Sequence, residues 1–385
     1  MSRVSIIIVS YNVRYYLEQC LRSVARASAG LDVETIVVDN DSSDGSVEYL
    51  EPLFPTIKFI RAGGNLGFSK ANNIGFGQSS GNYVLFLNPD TVISENVLAD
   101  CIRFMDNHKE AGAAGVRMLN RDGSFARESK RGVPTPFVSF CKMSGLCRLF
   151  PKSRIFGRYY LGHLDPDEAN RIEIISGAFM FVRREALEAV GGFDEDFFMY
   201  GEDIDLSYRI LKQGYENWYI PVTILHYKGE STNKTTYRYA KVFYNAMLIF
   251  FNKHFRKYSI LFSLFVKAVI SVQTVLSFLL NRVIYRSRSK GTDRLVWMYS
   301  GHEQHLDQVA RLAGVPRKDI ISCGMSLPGN DIPRDYTIYD VSVFAYSEIL
   351  QNMSDCKGVA RIATYNPENG MFISNAKILR DENKS

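Results

Sequence analysis

Four short apolar runs, each stopped by polar or glycine-rich sequence, constrain the first hundred residues more than any other feature. "VSIIIVS" leads into Tyr11-Asn12, and "ETIVVDNDSSDGS" ends in a turn-forming cluster. "IKFIRA" runs into "GGNLGFSKANNIGFG", and "NYVLFLNPD" stops at Asn88-Pro89-Asp90. Runs that are apolar throughout suit strands buried on both faces. Between the first two, "YYLEQCLRSVARA" carries Leu17, Leu21 and Val24 at helical spacing. Strands alternating with helices predict a parallel α/β sheet with right-handed crossovers, and in such sheets ligands sit outside the carboxyl ends of the strands. The clusters Ser10-Tyr11-Asn12, Asp39-Asn40 and Asn88-Pro89-Asp90 each follow a strand, so all three are expected to line one crevice.

The remainder divides by composition. Residues 129–165 are loop-rich, with Pro134, Pro136 and Pro151, and hold no acid between Glu128 and Asp165 but seven Lys and Arg. Residues 172–230 return to regular structure: a strand "IEIISGAFMFVRR", a helix "REALEAV", and a helix from Glu202 with Ile204, Leu206, Ile210 and Leu211 on its apolar face. From Ser259 to Leu280 Lys267 is the one charged residue. This is about the 20 residues that a membrane span needs. Ser263, Lys267, Ser271, Thr274, Ser277 and Asn281 give the stretch a polar stripe, and Arg256, Lys257, Arg282 and Arg286 flank it. Such a helix is expected to lie in a membrane interface or to cross with partners, the alternative being an amphipathic helix packed on its own core. Residues 292–385 read as a second small α/β unit, with "RLVWMYS" and "YDVSVFAYS" strand-like and "HEQHLDQVARLAG" and "SEILQNM" helical.

No acid lies between Glu230 and Asp293 either, against eleven Lys and Arg, and these two basic windows point to anionic partners. Aromatic platforms of a recognised nucleic-acid module are missing, so nucleic acid is not an expected partner. Hydrophobic content of 46% and charged content of 23% exclude a disordered chain. The six cysteines (20, 101, 141, 147, 323, 356) make no CxxC pair and no metal-like spacing, which predicts reduced thiols in a cytosolic protein. The N-terminus enters a strand directly, so no signal peptide is expected.

Several residues could carry chemistry. Asp39 could read an N–H edge of a base, or cap the next helix. The stretch 63–77 fits neither dinucleotide nor P-loop fingerprints, yet its glycines permit close approach of a ligand and Asn65, Asn72 and Asn73 offer hydrogen bonds. Asn88-Pro89-Asp90 could be a simple turn, or an Asn-for-Asp variant of an acid-x-acid pair that holds Mg²⁺ or Mn²⁺ against a diphosphate. Glu202-Asp203-x-Asp205 places three carboxylates in one helical turn, either as favourable dipole placement or as a crowded general base. His226 closes the apolar run "YIPVTILH" and could add an imidazole to the metal site.

Taken in order, "VSIIIVSYN…CLRSV", "VVDNDSSDGS", "GGNLGFSKANNIGF", "YVLFLNPDT", "SGAFMFVRREALEAVGGFDEDFFMYGEDIDLSYRILKQGY" and "H…GES" closely resemble family-2 inverting glycosyltransferases of the GT-A fold, nearest to bacterial rhamnosyltransferase-like members. The resemblance covers residues 1–245. It implies that Ser10, Tyr11, Asn12, Asp39, Asn65, Gly67, Asn72, Asn88 and Asp90 bind a nucleotide-sugar. It implies a divalent metal on Asp90 and His226, with Asp203 as catalytic base and Glu202 as second choice. Gly191, Gly192 and Asp194 would shape the acceptor side. The expected organisation is a GT-A domain at 1–245, a basic apolar helical segment at 246–291 and a small α/β unit at 292–385. The last faintly resembles Rossmann-like parts of polyprenyl-phosphate sugar transferases, without a glycine fingerprint. The implied activity is metal-dependent, inverting transfer of a sugar, rhamnose from dTDP-rhamnose before a UDP-hexose, to a polyprenyl-diphosphate-linked saccharide at the inner face of a bacterial plasma membrane. A non-catalytic nucleotide-sugar-binding assembly module is the reading from another class.

Overall fold

A computed structural model describes residues 3–228, 237–256, 295–329, 334–356, 360–374 and 378–380. In chain order the first unit runs β1 (Val4–Ser10), α1 (Arg14–Ala27), β2 (Val33–Asp39), α2 (Ser46–Leu50), β3 (Lys58–Arg61), α3 (Phe68–Gly77), β4 (Tyr83–Leu87) and β5 (Thr91–Ile93). It continues with α4 (Val97–Asn107), β6 (Ala111–Leu119), α5 (Pro136–Met143), α6 (Leu146–Leu149), β7 (Asn170–Ile172), β8 (Phe179–Arg183), α7 (Arg184–Val190), α8 (Glu202–Lys212), β9 (Glu216–His226) and α9 (Tyr237–His254). Nine strands form one sheet in the order β3-β2-β1-β4-β8-β6-β9-β5, with β7 also on β9. β1, β2, β3 and β4 are parallel, β6 and β9 share their direction, and β5, β7 and β8 run against them. The mostly parallel α/β sheet of the GT-A expectation is therefore present. Every residue of β1 and β4 is buried, as runs covered by helices on both faces must be.

Two departures from the sequence pattern shape the site. "IEIISGAFMFVRR" is not one strand: β7 ends at Ile172 and β8 begins at Phe179, because Gly177 turns its N–H to a carboxylate of α8. In β9, Pro221 has no N–H for the ladder, and the pairing with β6 slips between Val116 and Arg117.

The C-terminal unit is a six-stranded sheet, β11-β10-β12-β13-β14-β15, formed by β10 (Trp297–Ser300), β11 (Ile320–Ser322), β12 (Tyr336–Asp340), β13 (Arg361–Asn366), β14 (Met371–Ser374) and β15 (Ile378–Arg380). "YDVSVFAYS" is half strand at most. β12 stops at Asp340, whose carboxylate accepts from the Ser342 N–H and forces a turn before the helix Tyr346–Asp355. The helix α9 crosses the expected boundary at residue 245, and the apolar stretch 259–280 lies outside the described residues. Among the described residues no helix is long and apolar enough to cross a membrane.

The second unit is packed onto the first. Val13, Tyr16, Val92, Leu225 and Tyr227 share a buried cluster with Tyr339, Phe344, Tyr346, Ile349 and Met353. Glu95 accepts from the N–H groups of Tyr346 and Ser347 at 2.8 and 2.9 Å, capping a helix of the other unit. Gly123, at φ +75°, lies so close to that helix that a Cβ would meet the Met353 carbonyl oxygen at 2.3 Å. Glu18 is wholly buried at the seam, bonded to Arg22, to the Tyr49 hydroxyl and to Asn369 of the second unit. Glu18→Ala takes this acceptor from the Tyr49 hydroxyl and the buried Asn369 amide, while Arg22 keeps Glu368, and is expected to cost about 2 kcal/mol of stability, since removing one partner leaves buried polar groups unsatisfied. Urea unfolding of the two proteins measures this, and a difference under about 1 kcal/mol would remove Glu18 from the stabilising contacts of the seam.

Candidate active site

The carboxyl ends of β1, β2 and β4 open on a cleft of about 340 Å³. Tyr11, Asn40, Asn65, Asn88 and Asp90 reach it from the strand-end side, Glu202 and Asp203 from the start of α8, and His226 and Lys228 from the end of β9. Arg131, Lys142, Tyr159 and Tyr160, from the basic window, form the opposite wall.

Asp90 meets His226 because β5 pairs with the end of β9. Thr91 is registered opposite His226, and the Tyr227 N–H donates to the Asp90 carbonyl at 3.0 Å. His226 Nε2 then lies 3.3 Å from Asp90 Oδ1 and 3.4 Å from the Asn88 amide nitrogen. Burial opposes ionisation of Asp90, but the adjacent His226 outweighs it and holds this carboxyl below the usual range. The donor set suits a hard dication, which can take one or two protein ligands and complete its shell with substrate phosphate oxygens. His226 Nδ1 is buried without a partner, and among the described residues no group of three His, Cys, Asp or Glu side chains could form an all-protein metal cage.

The three carboxylates of α8 separate by environment. Asp203 Oδ2 accepts from the Arg131 guanidinium and from the Gly177 N–H, and Oδ1 accepts from the Ile204 N–H at 2.8 Å. Arg131 is buried, yet the Asp203 charge outweighs that burial and keeps the guanidinium protonated more firmly than usual. Glu202 is buried with Oε2 unpartnered, and burial, then the Asp203 charge, pushes its carboxyl up to about 8. Asp205 turns away from the cleft, pairing with Arg209 and with His254 of α9, and so is a strut between helices.

Other expected residues are distributed unevenly. Ser10 and Asp39 are paired in the β1–β2 register just behind Tyr11 and Asn40, and the Ser10 hydroxyl and Asp39 Oδ1 are buried without partners. Asn40 holds the glycine-rich loop, donating to Asn65 Oδ1 and the Gly67 carbonyl and accepting from the Leu66 N–H. Gly67 needs to be glycine: at φ +83° a Cβ would meet the Phe198 carbonyl oxygen at 2.5 Å. Asn12 faces a separate depression beside Ser43 and Gly45, and Asn72 bonds back to the Phe68 carbonyl within α3, so neither lines the cleft. Gly191 and Gly192 close α7 at positive φ, and Asp194 pairs with Lys253; these too lie outside the lining. Arg131 and Lys142 stood in the sequence as members of a basic window, but their lining role depends on how that window folds.

The family model described as Glycosyl transferase family 2 matches residues 5–191, and that described as Glycosyl transferase family group 2 matches residues 160–300. The N-acetylglucosaminyl-diphospho-decaprenol L-rhamnosyltransferase of Mycobacterium tuberculosis is 30% identical over 241 residues, covering 60% of this chain and 77% of that protein. The chain belongs to glycosyltransferase family 2. Rhamnosyltransferase WbbL of Escherichia coli is 27% identical over 236 residues, 58% of this chain and 83% of its own, which places the chain in the rhamnosyltransferase-like part of the family. The solved mannosyltransferase PcManGT of Pyrobaculum calidifontis, in complex with GDP-Man and Mn2+, is 20% identical with a TM-score of 0.46, over 66% of this chain and 64% of that one.

The Glu202 environment of this family-2 glycosyltransferase has a pH consequence. Its folded value, about 8, lies above the ordinary 4.5, so the native state binds a proton that the unfolded chain releases. The resulting penalty is absent below about 4.5, grows between the two values and is complete above about 8. Glu202→Gln removes it, and the variant is expected to gain a few kcal/mol on the wild type as pH rises through that window. Denaturant midpoints between pH 4 and pH 9 read this out, and a pH-independent difference would contradict the buried, proton-binding Glu202.

Proposed function

We propose that this glycosyltransferase is an inverting, metal-assisted enzyme that moves a sugar from a nucleoside-diphosphate donor to a lipid-linked saccharide, with dTDP-rhamnose the favoured donor. The observation that carries the reading is the convergence of Asn88, Asp90, His226, Glu202 and Asp203 on one cleft from β4, β5, α8 and β9. Two relatives named as rhamnosyltransferases support the choice of sugar, and the diphospho-decaprenol in one of those names supports the acceptor class. On this reading the enzyme works at the cytoplasmic face of a bacterial plasma membrane.

The donor's base would lie toward Tyr11 and Asn40, over the unpartnered Ser10 hydroxyl and Asp39 Oδ1, which can accept its N–H groups. Asn88 would take the ribose. A divalent ion, when held by Asp90 and His226, supplies positive charge against the donor diphosphate. In the transfer, an acceptor hydroxyl attacks the sugar C1 from the face opposite the diphosphate. The C1–O bond breaks, and its electron pair leaves with the nucleoside diphosphate. Asp203 Oδ1, with one donor, retains lone-pair capacity for the hydroxyl proton. Arg131 and the Gly177 N–H fix the other oxygen, so the carboxylate is oriented before substrate enters. Glu202, whose value is raised by burial, is the weaker candidate for taking that proton at pH 7 than the hydrogen-bonded Asp203.

Asp203→Asn is expected to lower kcat by about a thousandfold with little change in donor binding, and Glu202→Gln by about tenfold or less. Asp90→Ala is expected to abolish the metal-dependent rise in melting temperature that the correct donor produces. Turnover and melting curves with dTDP-rhamnose, UDP-glucose, UDP-GlcNAc and GDP-mannose, each with and without Mn²⁺, measure these outcomes. A larger loss in Glu202→Gln than in Asp203→Asn would transfer the base role. Metal-dependent binding without turnover of any donor would favour the assembly-module reading.

A further inference from the structure

The basic window folds into a compact protrusion, and part of it does not face the cleft. α5, α6 and the turns to Tyr160 are tied together from within: Gly157 and Gly162 pack so tightly that a Cβ on either would collide with the Pro151 carbonyl oxygen, at 2.4 and 2.3 Å. Lys142, Tyr159 and Tyr160 point to the cleft, with the Lys142 ammonium 3.7 Å above the Tyr159 ring. The outer side is unusual for a surface in water. Leu149 is 72% exposed, Ile155 61%, Phe150 52% and Phe137 51%. The Phe156 ring joins Phe150 at 5.6 Å and Phe137 at 6.5 Å, so these side chains form one patch and not scattered exposures. Arg148, Lys152 and Arg154 are exposed along the same turns, and none of the three makes an ion pair with a carboxylate among the described residues.

We propose that this outer face of residues 137–156 is a docking surface for an anionic lipid bilayer. Apolar side chains of this size suit the boundary between headgroups and acyl chains, and cations beside them meet lipid phosphates. The absence of any acidic residue between Glu128 and Asp165 leaves nothing on the element to repel that surface. Seated in this way, the inner side of the same protrusion presents Lys142, Tyr159 and Tyr160 to whatever rises from the membrane into the cleft. That consequence rests on the lipid-linked acceptor proposed above; the docking surface itself rests on the patch.

The test is co-sedimentation of the full chain with vesicles of phosphatidylcholine alone and of phosphatidylcholine with phosphatidylglycerol, at low and high salt. The wild type is expected to bind the anionic vesicles and to release them at high salt. Two variants, Leu149→Ser/Phe150→Ser/Ile155→Ser and Arg148→Glu/Lys152→Glu/Arg154→Glu, are expected to bind on the order of a hundredfold more weakly. Both should melt like the wild type and turn over a detergent-dispersed short-chain acceptor as it does. Wild-type indifference to anionic vesicles, or undiminished binding by both variants, would overturn the proposal. So would sedimentation velocity showing a wild-type dimer that the apolar variant dissolves, since a second copy would then be the occupant. Vesicle binding that behaves as expected in a protein that turns over no acceptor supports the surface and removes the transferase reading.

Discussion

The pairing of three residues, Thr91–Ile93, with the end of β9 is the constraint on which most of the site depends. It is antiparallel, with Thr91 opposite His226 and Ile93 opposite Ile224. This register brings Asp90 to His226 and sets Asn88 beside both. Because side chains alternate across a strand, a slip of one residue would turn His226 to the other face and separate it from Asp90. The same pairing makes the surface that receives the C-terminal unit: Val92, Leu225 and Tyr227 pack on Phe344, Tyr346 and Ile349. The second unit therefore buttresses the strand pair from behind, and Tyr227, one residue beyond His226, is wholly buried in the contact. A small appended domain gains a structural reason for its position without any ligand of its own.

The cleft also shows how one set of carboxylates is divided by surroundings. Asp90 is held in its charged form beside an imidazole, Asp203 is paired with a guanidinium, and Glu202, next to Asp203 in sequence, is pushed toward its neutral form by burial without a partner. Asp205, on the same turn, serves α9 through His254. Local sequence makes the four chemically equivalent. Separation comes from Arg131, which arrives from more than seventy residues upstream, and from the break between β7 and β8 that aims the Gly177 N–H.

That contrast explains what was legible beforehand. The strands could be read because double-sided burial leaves an unbroken apolar run, and the cleft's strand-end side followed because parallel strands end together. Tyr11, Asn65, Asn88 and Asp90 are such positions. Asn12 and Asn72 resembled them but are consumed locally, by Ser43 and by the Phe68 carbonyl, and a side chain's nearest backbone partner is not written in a hydrophobic pattern. The interruption at Ser176-Gly177 was hidden for the same reason, since small residues continue an apolar run as readily as they break it. The seam between the units was illegible too: its polar contacts join residues 237 to 351 positions apart.

The two walls of the cleft are consequently unequal as evidence of specificity. The wall at the carboxyl ends of β1, β2 and β4 is positioned by the sheet, at the place where ligands of such sheets sit. The opposite wall comes from residues 131–160, where the short helices α5 and α6 and the turns around them lie outside the sheet and are held by tight glycine contacts and by Lys142 on Tyr159. Changes in that segment can reshape this wall while leaving the sheet, Asp90 and His226 untouched. Arg131 is the exception, because it belongs to this wall by sequence and to the carboxylate by hydrogen bonding. It links the element that would select an acceptor to the group that would deprotonate it, and that link is as specific a constraint on the chemistry as any residue of the sheet.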